Sequence, residues 1–74
     1  MQLLAKHVRA ARALLKISQA ELASIAGVSK HTVNALENEI YEPSEDTLLR
    51  IQTAFEQRGI QFLNSGQPGV RQIR

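Results

Sequence analysis

The stretch from Gln19 to Asn38, QAELASIAGVSKHTVNALEN, decides the fold, because its apolar residues follow two helical phases separated by a glycine. Ser18 with Glu21 three residues later has the spacing of a capping box, in which hydroxyl and carboxylate each satisfy an orphan backbone N–H, so a helix is expected to start at Gln19. Leu22, Ile25 and Ala26 fall on one side of it, and Ala23 is small enough to let a second helix approach closely. Gly27 ends it and Val28 closes the turn from the inside. Ser29 is a second N-cap, launching a helix with Val33 and Leu36 on its buried side. Two short helices joined at a steep angle by about three residues make a helix-turn-helix.

At about 100° per residue, the side of this second helix opposite Val33, Leu36 and Glu37 carries His31, Asn34, Ala35 and Asn38. That stripe is polar but uncharged, whereas a helix facing only water more usually carries Glu and Lys there. Side chains that both donate and accept, beside a small alanine, suit the edges of bases in a major groove. Lys30 and Ser29 stand at the helix N-terminus, the end that enters the groove first in such motifs. A solvated polar face is the alternative reading of the same residues.

The segment resembles the helix-turn-helix of the phage repressor and Cro family, on Gln19, Leu22, Ala23, Ala26, Gly27, Val28, Val33, Leu36 and Glu37. The likeness runs from about Val8 to Arg58. It implies that Arg12 pairs with Glu37 and ties the first helix to the reading helix, that Gln19 helps hold a DNA phosphate, and that Lys30, His31 and Ala35 reach bases. The chain departs from the family after Asn38, where a glycine and basic residues are common. Glu39 and Glu42 stand there instead, and Asn38 is then the residue expected to adopt the left-handed conformation. Fewer phosphate contacts mean a shallower salt dependence of binding.

The chain has 74 residues, enough for one domain with a modest core, and no cysteine to staple it. The lack of cysteine also excludes thiolate nucleophiles and thiolate metal sites. No apolar run approaches the roughly twenty residues that cross a bilayer, and the charged opening stretch MQLLAKHVRAARALL does not read as a signal sequence, so a cytoplasmic location without membrane contact is expected. The net charge of +2 is unevenly spread. Met1–Asn38 holds five basic against two acidic residues, Glu39–Arg58 two against five, and the tail adds Arg71 and Arg74. Positive charge therefore accompanies the half expected to face phosphate.

Leu4, Val8, Ala11 and Leu15 predict an amphipathic helix over Gln2–Leu15. Lys6, Arg9 and Lys16 lie off that stripe; Lys6 and Arg9 read as solubilising charges and Lys16 stays open. His7 has no second ligand at helical spacing and reads as surface or boundary. Pro43 stops any continuation of the reading helix, Ser44 caps another whose first turn holds Glu45 and Asp46, and Leu48, Ile51 and Phe55 form its apolar stripe up to Arg58, with Gly59 the stop. Ile40 and Tyr41 are expected to plug the core. Beyond Gly59, Ile60 and Phe62 alternate with Gln61, the cluster Asn64–Gly69 reads as a turn, and Val70–Ile73 is strand-like. An isolated two-stranded hairpin is marginal in water, so it should pack on the last helix or pair with a second subunit; a frayed tail is the competing reading.

The sequence therefore predicts a mostly α fold: a four-helix repressor-like helix-turn-helix domain at 1–59 with a C-terminal β-hairpin tail at 60–74, a possible dimerisation element. The leading expectation is a sequence-specific DNA-binding transcriptional regulator of the XRE type, a repressor acting as a homodimer on the major groove of double-stranded DNA. Gln19, Ser29, Lys30, His31, Asn34, Ala35 and Asn38 are its candidate DNA-binding residues. An antitoxin-type module that binds a toxin partner and its own promoter is the alternative. An enzyme is not expected, and neither is a cofactor or metal, because no nucleophile, metal-ligand or phosphate-loop spacing exists.

Overall fold

A computed structural model describes residues 3–63 and 69–73. Its elements are α1 Ala5–Leu15, α2 Gln19–Ala26, α3 Lys30–Glu37, α4 Glu45–Glu56, β1 Ile60–Leu63 and β2 Gly69–Gln72. The fold is mostly α with the expected hairpin behind the fourth helix.

The capping signals act where the sequence puts them. Ser18 Oγ accepts from the Glu21 N–H at 3.0 Å while the Glu21 carboxylate accepts from the Ser18 N–H at 3.1 Å, closing the box at the head of α2. Ser29 and Ser44 accept from the N–H groups of Thr32 and Thr47 at 3.0 and 3.2 Å. Gly27 sits at φ 72, a left-handed conformation that costs an L side chain energy, and so turns the chain between α2 and α3.

α1 begins later than its periodicity suggests. Leu4 is extended and serves as the N-cap, so the helix starts at Ala5; the residues assigned to its first turn instead form a lead-in, and Gln2 lies outside the described residues. Leu3, not Leu4, is the buried leucine of that lead-in. The cap partner is His7, whose Nδ1 accepts the Leu4 N–H at 2.9 Å. Lys16 ends the helix in the left-handed region, at φ 58.

The core lies where the four helices converge. Val8, Ala11, Leu22, Val33, Ile51 and Phe55 are fully buried there and Ile60 nearly so. Sequestering each large aliphatic or aromatic side chain contributes about 1.5–3 kcal/mol. β1 and β2 pair antiparallel, with Phe62 opposite Val70 and Ile60 opposite Gln72, and the Ile73 N–H bonds the Gly59 carbonyl at 2.7 Å. The strands rest on α1 and α4 of their own chain. Phe62 stands edge-on to Phe55 at 5.9 Å and to His7 at 5.7 Å, so it pins the tail to both helices. The turn cluster is outside the described residues as far as 68.

His7 is buried, not at the boundary. Its Nε2 has no hydrogen bond of normal geometry and faces the Leu63 carbonyl. Burial, opposed by that carbonyl and reinforced by the charge of Lys6, holds its pKa below 6.5.

Candidate nucleic-acid interface

The reading helix is fixed from behind by a charge. The Arg12 guanidinium on α1 donates from Nε and Nη2 to the two oxygens of Glu37 at 2.7 and 2.9 Å, and from Nη1 to the Ile17 carbonyl at 3.0 Å. Glu37 is 4% exposed. Burial pushes its carboxyl up, but the hydrogen bonds from Arg12 and Gln19 and the nearby charges of Arg12 and Arg9 together bring it below the ordinary range. The same pairing raises Arg12. Arg9, expected only to solubilise α1, donates to the Glu37 carbonyl, so two arginines one turn apart grip the C-terminal end of α3. A pair this enclosed aims a helix more than it adds net stability.

With Val33, Leu36 and Glu37 turned inward, Lys30, His31, Asn34 and Asn38 are exposed on α3 and at its end. Ser29 is exposed at its cap, and Gln19 is half-buried at the start of α2, facing Glu37 and Asn34. The Asn38 amide folds back to donate to the Asn34 carbonyl at 2.9 Å.

Ala35 is a correction to the stripe. It is fully buried, not part of the open face. After α3 the chain doubles back: the Ile40 N–H bonds the Ala35 carbonyl at 2.9 Å, and Tyr41 comes beside His31, one helical turn before Ala35, with ring centroids 6.4 Å apart. Helical phase places residue 35 near 31, but it cannot register the returning segment that covers it.

The same return corrects the plug. Ile40 is 67% and Tyr41 45% exposed, so neither closes the core, and Tyr41 joins the face that carries His31. No periodic signal in EIYEP distinguishes these outcomes. The left-handed residue is Glu39, at φ 55, while Asn38 stays at φ −97. Helix geometry persists one residue longer than expected because the Asn38 and Glu39 N–H groups bond carbonyls of α3. Among the described residues no group of His, Asp or Glu has the arrangement to hold a metal ion.

An eight-residue helix with an open polar face, seated after a left-handed glycine turn and anchored by a buried ion pair, defines a DNA-binding helix-turn-helix domain. The helix-turn-helix family model matches residues 8–63, and the chain belongs to that family, as a DNA-binding transcription regulator of the XRE type. No curated protein matched the chain. No described helix is long and apolar enough to cross a membrane.

Proposed function

We propose that the protein is a sequence-specific repressor that works as a homodimer on a roughly palindromic operator. The observation that carries this reading is the open face of α3, with Lys30, His31, Asn34 and Asn38 outward and Glu37 held behind them by Arg12. Lys30 donates to guanine, and Asn34 pairs with adenine through both amide atoms, each contact contributing about 1–3 kcal/mol of discrimination. His31 meets a base edge or a phosphate, with Tyr41 beside it. Gln19, Ser29 and Asn38 hold the backbone and set the register. Ala35, being buried, is left out.

Dimerisation follows from how little one copy offers. One short helix spans few base pairs, and Glu39 and Glu42 next to it are acidic. Each phosphate contact forgone removes about 0.9 from the slope of log affinity against log salt. Two copies with reading helices about 34 Å apart double the contacts and enter successive major grooves.

The test is selection of bound sequences from random DNA by gel shift at a stated salt concentration. Enrichment of two inverted half-sites about 10 base pairs apart, centre to centre, is the expected result. Enrichment of nothing, or of an asymmetric single site by a monomer, would refute the operator or the dimer respectively. On the selected operator, Asn34→Ala should weaken binding far more than it does on random DNA; equal losses would remove Asn34 from base reading.

A further inference from the structure

A directed chain of hydrogen bonds runs from the buried ion pair to the open face of α3. An ionised carboxylate only accepts hydrogen bonds, so the Gln19 amide beside Glu37 has to turn its nitrogen that way, and Nε2 donates to Glu37 Oε1 at 3.2 Å. This leaves the Gln19 oxygen pointing toward α3, where it accepts from Asn34 Nδ2 at 3.4 Å. The Asn34 amide is oriented by the same logic one step further on. Faced with an acceptor, it gives one Nδ2 hydrogen to Gln19 and keeps Oδ1 and the second Nδ2 hydrogen for whatever lies beyond. Asn34 is exposed, and an exposed amide with no such neighbour rotates freely between its two orientations.

We infer that Gln19 is a specificity-determining positioning residue, which restricts Asn34 to one donor and one acceptor and thereby makes it a reader of adenine. Adenine offers N7 as acceptor and the N6 amino group as donor in the major groove, the complement of that pair. Guanine offers two acceptors, N7 and O6. An unrestrained asparagine meets them by presenting both Nδ2 hydrogens, one of which is here committed to Gln19. The orientation originates in the fixed negative charge of Glu37, which Arg12 holds in place and which contacts no base itself. Gln19 still has its second Nε2 hydrogen for a phosphate, so the two roles do not compete. The inference rests on α3 being the groove-entering helix.

The experiment uses the operator selected with the wild-type chain. The base pair read by Asn34 is the one at which Asn34→Ala abolishes discrimination, and affinities are measured with adenine and with guanine at that position. Wild type should prefer adenine by roughly 5- to 150-fold. Gln19→Met, which keeps the stem length and removes both amide functions, should reduce that ratio at least about five-fold, because the guanine complex loses less than the adenine complex. In the Asn34→Ala background the same Gln19→Met change should leave the ratio unmoved, since the coupling needs both amides. Urea midpoints confirm that each variant is folded. A uniform loss of affinity on both bases, with the ratio intact, would reduce Gln19 to a phosphate contact and overturn the inference while leaving the DNA-reading role standing. Failure of the wild type to enrich any sequence would overturn both.

Discussion

Replacing Arg12 by methionine puts the buried ion pair to a quantitative test. Methionine preserves part of the arginine stem and removes three donors, two to the Glu37 carboxylate at 2.7 and 2.9 Å and one to the Ile17 carbonyl at 3.0 Å. Glu37 remains 4% exposed, with Gln19 as its remaining side-chain hydrogen-bond donor. Breaking a buried pair from one side costs about 3–5 kcal/mol. Because the Arg12 side chain is 23% exposed and lets some water near the site, the lower end applies, about 3 kcal/mol. At about 4–8 °C per kcal/mol in a domain of this size, Tm falls by about 12–24 °C.

The dependence on pH makes the cause visible. In the wild type the Glu37 carboxyl is held below its ordinary value of 4.5, so the pair contributes stability above that pH, and the contribution is lost as pH falls through the lower folded value. In Arg12→Met, burial is largely unopposed and raises the carboxyl above 4.5, so the variant takes up a proton on folding and recovers as pH falls through the raised value. The stability gap between the two proteins therefore narrows from pH 7 toward 4.5, and taking the difference cancels every other titrating group. Urea denaturation followed by helical circular dichroism, at one protein concentration, measures it. A gap that is constant or widens on acidification would show that Glu37 is not a stranded buried charge. The double change Arg12→Met with Glu37→Met should regain most of the stability. It should not regain operator affinity, because the Gln19 amide loses its fixed partner.

Three further changes probe other parts of the fold. Burial holds His7 below 6.5, so the unfolded chain binds the proton first, and wild-type stability, complete above that value, declines as pH falls from 7 toward 5.5; His7→Leu should flatten this slope, and an equal slope in both proteins would place the titration elsewhere. Gly27→Ala should cost about 1–2 kcal/mol through its φ of 72 alone, since the added Cβ meets only the Arg50 guanidinium at an ordinary 3.8 Å. An unchanged thermal midpoint would contradict the left-handed turn. Glu39→Gly should gain about 1 kcal/mol by relieving φ 55, raising Tm by about 4–8 °C, whereas a lower Tm would mean that the Glu39 side chain contributes more than the backbone costs.

The helix boundaries around the reading unit were legible because their causes are local. A serine hydroxyl reaches an N–H three residues away whatever the rest of the chain does, so Ser18, Ser29 and Ser44 announce the starts of α2, α3 and α4. Glycine's freedom at positive φ marks the turn at Gly27 in the same way. The inward side of α3 follows from helical period on Val33 and Leu36. Resemblance, not period, supplied the partner of Arg12.

What the tertiary structure alone decided are matters of how separated segments meet. Ala35 is covered and Tyr41 uncovered by the direction in which the chain returns after α3, and neither is a property of a helical face. His7 is buried because the hairpin, more than fifty residues later in the chain, lies against α1. The link from Gln19 to Asn34 depends on the angle at which α2 and α3 cross, which brings residues fifteen apart within hydrogen-bond reach. Local chemistry chooses where helices begin and which side of each is apolar, while packing distributes the polar groups into partners, and in this chain the specificity of the reading face resides in that distribution.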